Sequence, residues 1–82
     1  MEYPMALVVW RDIVSDAEWN SIADAKRKEP MLCTTIGYLI NDGDSVTIAH
    51  SLTDADTCDY TVIPVGVIVS RSSLEIVERA DP

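Results

Sequence analysis

Eighty-two residues make one domain, near the lower end of what folds without disulfides or metals. At 9 kDa and 48% hydrophobic residues the chain fills one small core but has little room to enclose a substrate together with catalytic machinery, which favours binding or self-assembly over catalysis. Fourteen acidic against six basic residues give a net charge of −8, a field that repels phosphates and disfavours general nucleic-acid binding.

Residues 1–4 read as a frayed start. Residues 5–10 (MALVVW) are a short apolar run rich in β-branched side chains, expected to form a strand buried on both faces or held at a subunit contact. The periodicity then changes. Ser15 is placed as an N-cap, with Glu18 three residues on completing a capping box and Val14 and Trp19 at the two positions of a hydrophobic staple. A helix over about 16–28 is predicted, with Trp19, Ile22, Ala23 and Lys26 on one narrow face. It should stop before Pro30, and Lys26-Arg27-Lys28 suit the negative end of its dipole.

Residues 32–52 (LCTTIGYLINDGDSVTIAHSL) read as the central hairpin. Asn41-Asp42-Gly43-Asp44 is the turn, where Gly43 accepts positive φ without penalty and Asn and Asp tolerate the left-handed region. The second arm alternates, placing Val46, Ile48, His50 and Leu52 on one face. Gly37 marks a bulge or sharp bend in the first arm. A polar loop follows at 53–59, then a third arm at 60–63 closed by Pro64, and a tight corner at 64–66 suited to one 3₁₀ turn. Residues 67–70 resume as a strand. Ser72-Ser73 is a weak break before a short apolar piece at 74–77, and residues 80–82 are expected to be disordered. Short connections favour antiparallel pairing. The expected fold is mainly β: a single domain over residues 1–82, a small five-stranded SH3-like or Sm-like barrel with one helix inserted after the first strand. An OB-type barrel or an open sheet with one helix are the alternatives.

Trp10-x-Asp12, Trp19, Thr35-Ile36-Gly37-Tyr38-Leu39, Ala49-x-Ser51 and Ile63-Pro64-x-Gly66-x-Ile68, in that order, resemble small uncharacterised proteins encoded by bacteriophages and prophages. The resemblance runs from about residue 8 to residue 68. It implies a phage accessory protein working in the host cytoplasm, of the kind that binds and neutralises a host protein or a signalling nucleotide. The acidic stretch at 53–59 departs from the usual pattern and leaves a shared ligand open.

Charge is unevenly placed. Residues 41–60 hold Asp42, Asp44, Asp54, Asp56 and Asp59 and no Lys or Arg. Asp54, Asp56 and Asp59 are therefore candidates for docking a basic partner, against the plainer reading of a solvated loop. Lys26, Arg27 and Lys28, with Arg71, are candidates for holding an anion, and Trp10 and Trp19 for stacking on a base. Against this, the two indoles are expected to fill the core between helix and sheet.

Catalytic groupings are thin. His50 is the single histidine, and no third group orients it against Cys33 or Cys58. Asp54-x-Asp56-x-x-Asp59 lacks the glycine and glutamate of a calcium loop, and a zinc site would need more Cys or His. The three glycines are dispersed, so no phosphate cradle is present. No metal or cofactor is implied. Two cysteines make no disulfide framework, no signal peptide is evident, and no segment approaches a membrane span, so a cytoplasmic protein with reduced thiols is expected. The expected function is a non-enzymatic, homo-oligomeric protein-interaction module that modulates a host factor. The alternative is a sponge that sequesters a small signalling nucleotide.

Overall fold

The computed structural model describes residues 3–78. One antiparallel sheet of five strands carries the fold: β1 (Met5–Asp12), β2 (Met31–Asp42), β3 (Ser45–Leu52), β4 (Cys58–Pro64) and β5 (Ile68–Leu74), in the spatial order β4-β3-β2-β1-β5. A 3₁₀ turn, Val65–Val67, separates β4 from β5, at the corner where Pro64 ends the ladder. The expected β class and the order of elements hold. The sheet is not closed, and β4 and β5 remain as its two edges among the described residues.

Its bend is set by Gly37. The first half of β2 pairs with β1, from Asp12↔Met31 to Met5↔Tyr38, and only from Tyr38 onward does β2 pair with β3. A Cβ on Gly37 would stand 2.2 Å from the Ala49 carbonyl oxygen and 2.7 Å from Ile48 Cγ2, so only glycine lets the two backbones approach there. Bulges at Ile40 in β2 and His50 in β3 flank this crossing and add local twist. The core joins three strands: Ala6 and Val8 from β1, Val46 and Ile48 from β3, and Ile63 from β4 are buried, with Trp10, Leu39, Val67 and Ile68 packed against them.

Several expectations change. The bulge at His50 ends the alternation begun by Val46 and Ile48: Ala49 is buried, while His50 and Leu52 are exposed. Gly43 does not take positive φ; Asp56, at φ 60°, is the described residue that does. The turn is tied instead at the Ser45 carbonyl, which accepts from the Gly43 amide and the Asn41 side chain, both at 3.2 Å. Ser72-Ser73 is no break, because β5 continues through it opposite Leu7 and Ala6, and residues 75–78 have no regular structure. Pro4 is anchored: its carbonyl accepts from the Leu39 amide at 2.8 Å. The expected disorder at 80–82 lies outside the described residues.

The helix differs most. It is α1 (Ile22–Arg27), six residues long, not a helix over 16–28. Asp16 Oδ1 accepts from the Glu18 amide at 2.9 Å, and Asn20 Nδ2 donates to the Glu18 carbonyl at 3.0 Å. These side-chain bonds occupy backbone groups that a helix starting at Ser15 would need. Ser21 caps in its place, accepting from the Asp24 amide at 3.1 Å. The staple is also absent, since Val14 and Trp19 are both exposed.

Candidate interaction surface

The connection from β1 to β2 is where this chain departs from a closed globule. Residues 13–30 are exposed without exception, and α1 contributes no buried residue. This arm leaves the sheet beyond the Asp12↔Met31 pair. It helps to give the molecule extents of 56 × 32 × 21 Å and a radius of gyration of 17.1 Å, against about 12 Å for a compact chain of this length. Trp19 is 103% exposed, and Ile13 and Ile22 on the arm, with Met31 and Leu32 where β2 begins, are also bare. An isolated helix this short is marginal in water, where about 12–15 residues are needed even for good helix formers. The arm thus leaves its apolar side chains and a weakly self-supporting helix uncovered among the described residues.

Electrostatics divide the surface. On the arm, Arg27 pairs with Asp24, while Lys26 and Lys28 form no ion pair with the described residues. The Asp16 carboxyl sits below its ordinary value of 3.8, chiefly through the Glu18 amide, then the Asn20 side chain and the charge of Lys28. The β3–β4 connection carries Asp54 and Asp56, and Asp59 follows at the start of β4. Its shape is held by Thr53 and Thr57: the Thr53 amide donates to the Thr57 carbonyl at 2.9 Å, and the Thr57 amide to Thr53 Oγ1 at 3.2 Å. Asp59 has a structural task here, accepting from the Ser51 amide at 2.7 Å beside the His50 bulge. Asp54 and Asp56 form no ion pair among the described residues. Next to them lies a hollow of about 250 Å³ whose lining includes Tyr3, Ile40, Leu52, Asp56 and Cys58.

The candidate anion-binding residues do not form one set within a single copy. Lys26, Arg27, Lys28 and Trp19 are on the arm. Trp10 is on β1, half-buried against the core, with Nε1 donating to Thr35 Oγ1 at 3.0 Å. Arg71 is on β5, and its guanidinium is engaged in a two-pronged pair, Nη1 to Asp42 Oδ1 and Nη2 to Asp42 Oδ2, each 2.9 Å. That pair ties the β5 edge to the end of β2. The two tryptophans therefore do not share a core: Trp10 packs, and Trp19 is bare.

His50 Nε2 lies 3.1 Å from Thr61 Oγ1 on the surface. Cys33 and Cys58 are free thiols, one half-buried on β2 and one exposed at the start of β4. Among the described residues no three His, Cys, Asp or Glu side chains converge as a metal site, and no helix is long and apolar enough to cross a membrane.

The arm was the feature sequence reasoning missed. Its signal was present in the sparse apolar content of residues 13–30, too thin a stripe to cover a sheet face. Comparison with family models, curated proteins and solved structures gave no match to this chain.

Proposed function

We propose that this protein is a non-enzymatic accessory protein that works as an assembly of its own copies and, once assembled, binds a host protein. The observation that carries the reading is the arm: residues 13–30 present Ile13, Trp19 and Ile22 to solvent, with nothing among the described residues to cover them. A bare apolar patch on a small protein marks a contact surface. Assembly also compensates for a modest core, in which four large side chains (Val8, Val46, Ile48 and Ile63) are fully buried.

The finer description of the fold belongs to the same proposal. The order β4-β3-β2-β1-β5, the bend at Gly37 and the 3₁₀ turn before β5 support an SH3-like or Sm-like arrangement whose exposed edges are completed by neighbouring copies. The mass of the particle in solution tests the reading. Light scattering coupled to size exclusion, or native mass spectrometry, should return two or more times the 9 kDa of one chain. A monomer at tens of micromolar protein overturns it.

The nucleotide sponge keeps one supporting observation, Lys26 and Lys28 lying on the same bare arm as Trp19. It is the weaker reading, because Arg71 is paired, Trp10 is packed, and the arm's own hollow of about 310 Å³ sets two acids, Asp16 and Asp24, against one cation, Lys28. Thermal-shift measurement against cyclic nucleotides and ADP-ribose derivatives separates the two. A ligand at 100 times its Kd adds about 2.7 kcal/mol, a rise of roughly 10 °C or more for a domain this small. No rise with any of them removes the sponge.

A further inference from the structure

We infer that the arm of one copy docks in the hollow beside the β3–β4 connection of a second copy, Trp19 and Ile22 entering it and Lys26 and Lys28 meeting Asp54 and Asp56 at its rim. This rests on the self-assembly reading above and names the surfaces that would mate.

Chemistry argues for this occupant. The arm carries bare apolar side chains followed within one helical turn by cations: Ile22 and Lys26 are four apart on α1, on one face. The hollow reverses that order of properties, with Ile40, Leu52 and Tyr3 in its lining and Asp56 among them, and with Asp54 alongside in the same connection. An enclosed cavity of about 150 Å³ admits benzene, so about 250 Å³ has room for an indole. Outside the arm, the described residues hold only two cations, Arg11 and Arg71, and Arg71 is already paired with Asp42. The basic cluster closest in kind to what Asp54 and Asp56 lack is therefore on another copy's arm. The arm's length also approaches the roughly 20–30 residues a side of a standard interface.

Geometry argues for a different copy. The arm leaves from the Asp12 end of β1, whereas Tyr3, in the lining of the hollow, precedes Met5 at the other end. Eight strand residues at about 3.3 Å each put the two ends roughly 25 Å apart. Donor and acceptor surfaces on opposite ends of one subunit make a head-to-tail contact, or a reciprocal exchange between two antiparallel copies.

A charge-swap experiment on the full chain decides it. Lys26→Glu with Lys28→Glu, and separately Asp54→Lys with Asp56→Lys, should each weaken assembly about tenfold, since every reversal replaces an attraction with a repulsion. Mixing the two variants one to one should restore particles of wild-type mass, each containing both chains. Circular dichroism of each variant checks that the sheet is retained; because Asp56 stands at φ 60°, Asp54→Lys with Asp56→Asn, which suits that conformation and still removes the charge, is run beside the double reversal. Trp19 emission should shift to the blue as protein concentration rises through the assembly transition. If wild type is a monomer, both this inference and the assembly reading are lost. If wild type assembles but either reversal leaves the particle intact, or the mixture fails to restore it, assembly stands and this docking is overturned, leaving the hollow to a different partner protein.

Discussion

The crossing at Gly37 and the arm at residues 13–30 show two ways a short chain spends its apolar residues. Around Gly37 the backbones of β2 and β3 touch, Val46, Ile48 and Ala49 are completely buried, and no substitution fits without moving main chain. In the arm a tryptophan and two isoleucines face water, and order depends on local side-chain bonds to the backbone from Asp16, Asn20 and Ser21. The first region is specified by packing within the chain. The second has no packing surface among the described residues, and the proposed assembly would supply one. Stability should therefore be lost at the crossing, and assembly at the arm.

Changes at the crossing should be the most damaging. Gly37→Ala places a methyl group against the Ala49 carbonyl and forces β2 from β3, so a loss of about 3 kcal/mol or more in urea unfolding is expected. A loss under about 1 kcal/mol would show that the crossing yields easily, and the contrast with the arm would blur. Ile48→Ala should cost about 2–5 kcal/mol by leaving a cavity in the core, read in the same titration.

The link between Arg71 and Asp42 is intermediate. Its geometry is bidentate, but both side chains are 45% exposed, and solvent screening limits the pair to about 0.5–1 kcal/mol. Arg71→Ala should show that loss, shrinking as salt is raised. Trp19→Ala should leave the unfolding free energy of a dissociated copy within about 0.5 kcal/mol of wild type, because the side chain touches no core, while reducing assembly. A large loss in the monomer would mean that the arm folds back on its own sheet.

The smallest effect concerns acid. Asp16 is held below its ordinary value of 3.8 when folded, so the turn it makes with Glu18 is fully supported above that value and is lost as pH falls through the depressed one. Amide resonances of residues 16–20 should titrate in that range in wild type and not in Asp16→Asn, while those of β3 stay unchanged.

Much of the sheet was legible from local pattern. MALVVW at 5–10, the alternation through Val46 and Ile48, Pro64 before a tight corner, and Gly37 as a bend each follow from backbone preferences acting over a few residues. The helix start was not legible in the same way, because two cap sequences compete. Ser15-x-x-Glu18 and Ser21-x-x-Asp24 look alike in sequence, and the choice falls to Asp16 and Asn20, which bind the intervening backbone. The face occupied by His50 was missed for a related reason: a one-residue bulge reverses every later side chain, and β3–β4 pairing decides where it falls. The candidate residues were visible only as types. Sequence could mark Arg71 as a cation, but that Asp42 engages it depends on two positions 29 residues apart being folded together.

By itself, the sequence determined a small acidic β chain with its turns, its central bend and its bare charges, since these are properties of neighbouring residues. Tertiary structure alone decided that the sheet stays open, that Trp10 packs while Trp19 does not, and that residues 13–30 stand away from the core. The reason is physical: whether an apolar side chain is buried depends on what surface lies opposite it, and among the described residues the arm has none.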